Sequence, residues 1–274
     1  MSTDDPATVG RLLLGFAAAG TVAAAAHRAG ALTVSGACAA TGVGAACVAA
    51  GWDWGALLVA FFVSSTVLSR VGYARKKILA DAVVTKGGPR DATQVLANGG
   101  AFAACAVAYA LQPSLLWDAA GDGALAAATA DTWGTEVGML AADTPRSILS
   151  WRPVPPGTSG GITPAGTLAT IGGAIFIAMT ARGFGAPQSV AWCALAGGVA
   201  GSTADSVLGA TLQSRRWCSR CRMATERSVH TCGTPTDPSH GITWLNNDGV
   251  NVAGTAVGLL TAIAITWIAG RSAA

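Results

Sequence analysis

Four carboxylic acids lie within long apolar stretches of this 274-residue sequence or directly before one, at Asp131, Glu136, Asp205 and Asp248. A charged side chain at the centre of a bilayer costs about 2.5–3.5 kcal/mol on insertion scales, so acids in such stretches are candidates for function. Carboxylate oxygens are also the hard ligands that Mg²⁺ prefers. We therefore predict that these four acids are catalytic residues that hold Mg²⁺.

The spacing of the first two acids leaves their arrangement open. Asp131 and Glu136 are five residues apart, which is about 140° around an ideal helix. They share one face only if the helix unwinds locally, and Gly134 would permit that. Otherwise the fold places them against different neighbouring helices around one site, or they are buried acids bonded to other helices without a catalytic role.

Two segments rich in glycine have the composition of phosphate-binding sites. In the first, Lys86-Gly-Gly-Pro-Arg90 precedes a polar helix face formed by Asp91, Gln94 and Asn98. A glycine turn flanked by cations at a helix N-terminus suits a phosphate. In the second, residues 153–161, proline and glycine exclude a helix, and backbone N–H groups and hydroxyls are available. The alternatives are a basic loop with an ordinary helix cap, and a tight turn.

The last apolar stretch begins with a cluster of amides, Trp244-Leu-Asn-Asn-Asp-Gly-Val-Asn251. A helix cap accounts for one of these side chains but not for the whole group. Taking the three segments together with Arg152, which directly precedes the second, we expect twelve residues to bind substrate or phosphate: Lys86, Arg90, Asp91, Gln94, Asn98, Arg152, Gly157, Thr158, Ser159, Gly160, Asn247 and Asn251.

A polar segment near the C-terminus contains Cys218-Ser-Arg-Cys221, followed by His230 and Cys232. Three thiolates and one imidazole form a common structural zinc site, and a reducing cytoplasm favours metal binding over disulfides. His230 and Cys232 are unusually close in sequence for zinc ligands, so a metal-free reduced loop is the alternative. We predict a zinc clip within residues 213–249.

The composition is that of a membrane protein with several spans. Hydrophobic residues make up 51% of the chain and charged residues only 11%, with a mean hydropathy of +0.48. A soluble domain carries about 25% charged residues. Too little charge is therefore present to cover a water-facing surface, which excludes a soluble enzyme, a disordered protein and a nucleic-acid-binding module.

Eight apolar stretches are long enough to be transmembrane helices or nearly so. We predict one all-α membrane domain, residues 1–274, a bundle of about eight transmembrane helices with short cytoplasmic loops. Asp4 and Asp5 argue against reading the first stretch as a signal peptide. The stretches are 9–26, 31–50, 54–69, 93–111, 119–141, 163–181, 189–212 and 250–269.

The basic residues predict the orientation of this bundle. Of the 17 lysines and arginines, 14 fall in alternate connections, mostly within 70–92 and 213–249. Excess positive charge marks the cytoplasmic side of a membrane. We therefore expect both termini to lie outside, and the candidate site to face the cytoplasm from a cytoplasmic membrane.

The polar motifs together resemble those of an integral membrane family long catalogued as domain of unknown function ninety-two. The family includes the phytyl-phosphate kinase of plants and cyanobacteria, which acts in phytol salvage for tocopherol. The resemblance extends from about Leu14 to Ile268. It rests on Lys86-Gly-Gly-x-Arg-Asp-x-x-Gln-Val-x-Ala-Asn, Ala130-Asp-Thr-Trp-x-Thr-Glu, Pro156-Gly-Thr-Ser-Gly-Gly, Asp205-Ser-x-x-Gly-Ala-x-Leu-Gln and Trp244-Leu-x-Asn-Asp-x-Val-Asn.

The resemblance implies a kinase that transfers a phosphoryl group from a nucleoside triphosphate, CTP or ATP, to an isoprenyl monophosphate such as phytyl phosphate. Its partners would be the nucleotide, the prenyl monophosphate lipid and the membrane, and its metals Mg²⁺ and a structural Zn²⁺. The alternatives are a transporter or flippase for an anionic lipid and a cytidylyltransferase that forms CDP-linked lipids. A transporter needs polar lining towards both sides, whereas the outer halves of the stretches are nearly bare apart from Asp122.

Overall fold

The computed structural model describes residues 6–80, 83 and 88–272. Nine α-helices lie within these described residues, and eight of them coincide with the eight apolar stretches. The short helix α4 was not predicted, and Lys86 lies outside the described residues. The helices are α1 Pro6–Arg28, α2 Val34–Ala50, α3 Trp52–Arg70, α4 Tyr73–Ala80, α5 Ala92–Leu111, α6 Leu115–Gly138, α7 Pro164–Gly183, α8 Gln188–Thr211 and α9 Asn247–Ser272.

Four of the described helices, α3, α5, α7 and α9, are long and apolar enough to cross a membrane. The apolar parts of α1 and α2 are shorter. Helices α6 and α8 carry the candidate acids Asp131, Glu136 and Asp205. The chain is therefore a mostly helical protein with membrane-spanning helices, and the number of eight spans stays a prediction.

Helix α6 lies at the centre of the bundle, and every residue from Ala119 to Ala130 is buried. Glycines allow α8 and α9 to approach it closely. A Cβ atom on Gly258 would lie 2.6 Å from Gly123 O, and one on Gly197 would lie 2.6 Å from Gly258 O. Small residues permit such backbone contact between membrane helices. This contact fixes the relative positions of the helices that carry Asp131 and Asp205.

Two small antiparallel sheets correct the expectation of a purely helical fold. Strands β1 Arg146–Ser147 and β2 Gly161–Ile162 pair between α6 and α7. A second sheet, in the order β4–β3–β5, lies between α8 and α9. The chain in both places is rich in proline, glycine or turn residues, which disfavour a helix. The strands of the second sheet are β3 Arg215–Cys218, β4 Met223–Thr225 and β5 Asp237–His240.

The four connections with most of the basic residues meet at one end of the bundle, which we call the basic end. Arg90 N donates to Ala31 O at 2.9 Å, joining the connection before α5 to that between α1 and α2. Ser159 Oγ donates to Glu226 Oε1 at 2.8 Å, joining the other two connections. These contacts agree with the predicted alternation of the helices. The side of the membrane that the basic end faces stays a prediction.

Candidate functional site

Four of the predicted site residues, each from a different helix, line one small cavity between α5, α6, α8 and α9. The cavity has a volume of about 10 Å³. Its polar lining contains two acids and two amides, and the rest is mostly alanine and glycine. The lining residues are Asn98, Ala127, Ala128, Asp131, Gly201, Asp205, Asn251, Gly254 and Thr255.

Asp131 and Asp205 face each other in this cavity, and their carboxyl groups lie within hydrogen-bonding distance of each other. Asp205 Oδ2 is buried and has no hydrogen-bond partner among the described residues. Two carboxylates in contact repel each other unless a proton or a cation lies between them. The donor set of two carboxylates and two amides therefore fits Mg²⁺, a cation that prefers oxygen ligands.

Glycines bring Asp205 against α9. A Cβ atom on Gly201 would lie 2.6 Å from Gly254 O, and one on Gly254 would lie 3.2 Å from Asp205 Cβ. Asp131 precedes the end of α6 by seven residues. At 1.5 Å per residue, the cavity thus lies about 10 Å inside the basic end.

Asp248 lies in the first turn of α9, one turn nearer the basic end than Asn251. Its side chain is buried, with 4% exposure. Asn246 caps this helix, since its Oδ1 accepts a hydrogen bond from Gly249 N at 3.0 Å. Asn247 is exposed. The three amides therefore have different environments. Asn246 caps the helix, Asn247 is exposed, and Asn251 lines the cavity.

Glu136 lies apart from the Asp131–Asp205 pair, in a cluster of its own. Its Oε2 forms a salt bridge with Lys76 Nζ at 2.7 Å, and its Oε1 accepts a hydrogen bond from Ser69 Oγ at 2.6 Å. Helix α6 continues through Gly134 without unwinding. A Cβ atom there would lie 2.2 Å from Thr170 Oγ1, so this glycine serves the contact with α7.

Arg90 lies beside this cluster at the start of α5. Its Nη1 donates to Thr66 Oγ1 at 3.0 Å, and its guanidinium lies 5.8 Å from the ring centroid of Phe62. Burial lowers the pKa of Arg90, and the negative charge of Glu136 acts in the opposite direction. Asp91 and Gln94 form a capping box for α5, so their side chains hold the start of this helix.

The predicted phosphate loop, residues 157–161, lies over the end of α8. Gly157 and Gly160 have positive φ angles of 81° and 76°. A Cβ atom on Gly160 would lie 2.6 Å from Ser206 O, so only glycine permits this approach to α8. Arg215 Nη2 donates to Ser159 O at 2.8 Å. The loop thus contacts the helix that carries Asp205.

The remaining cationic candidate, Arg152, has an exposed side chain. Three residues at the basic end were not singled out from the sequence: Lys76, Ser69 and Glu226. Lys76 was one of six basic residues in its connection, and Glu226 lies in a polar loop, so neither composition nor spacing distinguished them. Their contacts in the structure identify them: Lys76 and Ser69 contact Glu136, and Glu226 contacts Ser159.

The predicted zinc ligands Cys218, Cys221, His230 and Cys232 form a compact cluster beside the second sheet. Their ligand atoms all lie within 4.8 Å of one another. Cys218 Sγ lies 3.7 Å from Cys232 Sγ, and His230 Nδ1 lies 3.2 Å from Cys232 Sγ. Hydrogen bonding with Thr234 and with the neighbouring His230 lowers the pKa of the Cys232 thiol to about 5.

Several known proteins are similar to this chain over most of its length. Protein PGR of Arabidopsis thaliana is 33% identical over 247 residues, which cover 80% of this chain and 84% of that protein. An uncharacterized membrane protein of Methanocaldococcus jannaschii is 34% identical over 168 residues, or 60% and 67% of the two chains. Protein VTE6, chloroplastic, of Arabidopsis thaliana is 27% identical over 216 residues, or 76% and 56%. No solved structure matches the chain.

The family comparison covers both the cavity and the loops around it. Residues 17–259 match the family described as integral membrane protein DUF92. This range contains all the motifs on which the resemblance was based. The chain therefore belongs to the DUF92 family of integral membrane proteins.

Proposed function

We propose that this protein is a membrane-embedded kinase that transfers a phosphoryl group from a nucleoside triphosphate, CTP or ATP, to a prenyl monophosphate such as phytyl phosphate. The observation that carries the proposal is the contact between Asp131 and Asp205 in a cavity about 10 Å inside the basic end. Membership of a family that includes a phytyl-phosphate kinase supports the same reaction.

In this proposal, Asp131 and Asp205 hold Mg²⁺, with Asp248 one helical turn closer to the water. Mg²⁺ neutralises the oxygens of the transferred phosphoryl group when it is bound. Asn98 and Asn251 complete the cavity wall and orient the carboxylates and the phosphates. No strong base is needed, because the acceptor phosphate is already an anion.

Residues at the basic end would bind the phosphates. The proposed contacts are Lys86, which lies outside the described residues, Arg90, and the 157–161 loop over the end of α8. Glu136 has a positioning role here instead of the metal-binding role expected from the sequence. Both of its oxygens already accept hydrogen bonds, from Ser69 and Lys76.

The site position suits two substrates that arrive from different phases. A nucleotide would enter from water at the basic end, which we propose is cytoplasmic, and a prenyl chain would lie among the apolar helices. Phosphoryl transfer mainly requires positioning and charge neutralisation. The cytoplasmic membrane and a role in phytol salvage for tocopherol are parts of this proposal.

Substitutions of the paired acids test the proposal. Asp131→Asn and Asp205→Asn should each lower turnover at least a hundredfold, because each removes one of the two facing carboxylates. Membrane insertion should not change, since a neutral amide in a span costs less than an acid. Asp122→Asn, a change of another buried acid at the opposite end of α6, is the matched control. Turnover near that of the wild type in either cavity variant would remove that residue from the site.

A second candidate function, transport of an anionic lipid, is favoured by one specific observation. Asp122 is not isolated, because it lines a cavity at the end of the bundle opposite the basic end together with Asp53, Asp118 and Tyr109. This cavity has a volume of about 170 Å³. Polar cavities at both ends suit a transporter, and this corrects the expectation that the outer halves are nearly bare.

The two cavities are separated along α6 by the buried residues 123–126. Asp122 and Asp131 are nine residues apart, about 13.5 Å along the helix. The control variant also distinguishes the two functions. A kinase should tolerate Asp122→Asn, whereas a transporter that moves its substrate between the cavities should lose lipid movement across liposomes.

A further inference from the structure

The Cys/His cluster has the ligand set and the compact spacing of a structural zinc site. Zinc–sulfur bonds of about 2.3 Å in a tetrahedron place two sulfur atoms about 3.8 Å apart. Cys218 Sγ and Cys232 Sγ are 3.7 Å apart. Cys221 and His230 complete a set of four ligand atoms within 4.8 Å. Four protein ligands are the number found in closed, structural zinc sites.

The segment that contains the cluster lacks an apolar core of its own. In the connection 212–246, all of which the structure describes, the only buried hydrophobic residue is Cys218. The other buried residues there are polar: Gln213, Thr225, His230 and Thr236. A segment of this size needs a metal or another cross-link to hold a defined fold. The four ligands supply the means for such a cross-link.

The strands of this segment connect the cluster to the 157–161 loop. Cys218 lies opposite Met223 at one end of the β3–β4 hairpin. At the other end, Arg215 donates to Ser159 O, and Glu226 directly follows β4. Glu226 Oε1 accepts hydrogen bonds from Ser159 Oγ at 2.8 Å and from Gln213 Nε2 at 2.7 Å. The hairpin thus has the cluster at one end and Ser159 at the other.

We propose that Cys218, Cys221, His230 and Cys232 bind one Zn²⁺ ion, and that this ion fixes the β3–β4 hairpin so that Arg215 and Glu226 hold the 157–161 loop over the end of α8. The metal site is independent of the proposed kinase reaction. Only the consequence for phosphate binding rests on that reaction. The ion has a structural role, because four protein ligands leave no position for a substrate.

Metal analysis of the full-length protein, purified in detergent without chelators, tests whether the four residues bind zinc. About one zinc per chain is expected, and Cys221→Ser should lower that value strongly. Cys38→Ser, a change of an exposed cysteine in α2, is the matched control and should retain the metal. Replacement of the ion by Co²⁺ in the wild-type protein should give the intense visible absorption of tetrahedral thiolate coordination, which does not depend on a variant that folds. Protein without zinc, or with a disulfide among these cysteines, would overturn the proposal.

Hydrogen exchange of the same protein tests, without an activity assay, whether the zinc ion holds the hairpin and the 157–161 loop in place. Removal of zinc by a thiol-modifying reagent should increase exchange at least tenfold in residues 157–161 and in the hairpin, but not in α2. Glu226→Gln should increase exchange in 157–161 while zinc remains bound. Unchanged exchange in 157–161 after zinc removal would overturn the link to the loop. Because neither measurement includes a nucleotide, failure here is distinct from failure of the kinase proposal.

Discussion

The buried ion pair between Lys76 and Glu136 gives a quantitative test of how the basic end is held together. The Lys76→Met variant leaves the carboxylate with only the Ser69 hydroxyl as donor, and Glu136→Gln leaves the ammonium group without its counterion. Loss of one partner of a buried pair costs about 3–5 kcal/mol. The Glu136 side chain is 20% exposed, so water compensates part of this loss. We expect each variant to lose about 3 kcal/mol of unfolding free energy, at the lower end of that range.

The double variant Lys76→Met/Glu136→Gln should cost no more than a single one, since both charges of the pair are removed together. This corresponds to a coupling energy of about 3 kcal/mol. The assay is unfolding by SDS in mixed micelles, followed by tryptophan fluorescence. Lys77→Met, a change of the exposed neighbour, is the control and should have little effect. Additive losses, with a coupling energy below about 0.5 kcal/mol, would refute the reasoning.

Kinase activity of the double variant then separates two roles of Glu136. A positioning role predicts that activity returns together with stability, because the helices regain their places. A direct role at the metal predicts a stable and inactive protein. The second result would contradict our assignment and restore Glu136 to the metal-binding set expected from the sequence.

Two further predictions concern helix packing and orientation. Gly258→Ala should destabilise the protein by about 1–3 kcal/mol through overpacking, because its Cβ would lie 2.6 Å from Gly123 O. The control, Gly270→Ala in the same helix, meets nothing within 4 Å and should be neutral or stabilising in the same SDS titration. Equal effects of the two variants would contradict the packing. In a background without the helix cysteines, Ser114→Cys should react with an impermeant thiol reagent in intact cells and Ser150→Cys only after permeabilisation; the reverse pattern would overturn the cytoplasmic site.

The positions of the helices were predictable because an apolar stretch of about 20 residues between charged connections is itself the pattern of a transmembrane helix. Helix bounds differed by a few residues, as for α6, expected at 119–141 and found at Leu115–Gly138. The two sheets were not predicted, since strands of two to four residues leave no periodic pattern. The polarity at the opposite end was also missed. Asp53 and Asp118 lie at the ends of separate stretches, and only the fold brings them to Asp122.

The candidate site was predictable to the extent that buried acids are rare and costly in membranes. The sequence singled out Asp131 and Asp205, but their contact depends on glycines of α8 and α9 that look alike in sequence. It grouped Glu136 with them because all four acids share the same chemistry. The fold instead gives Glu136 a partner, Lys76, which lies 60 residues away in α4 among similar cations.

The most direct test of the central claim is phosphoryl transfer by the purified protein. It would be incubated with Mg²⁺, a panel of prenyl monophosphates, and CTP or ATP labelled at either the γ- or the α-phosphate. The account predicts label from the γ-phosphate in a prenyl diphosphate, with release of a nucleoside diphosphate, and loss of this product in Asp131→Asn. Label from the α-phosphate in the lipid, with release of diphosphate, would contradict it and indicate a cytidylyltransferase. No labelled lipid with any acceptor, in protein that retains its fold, would contradict the kinase itself.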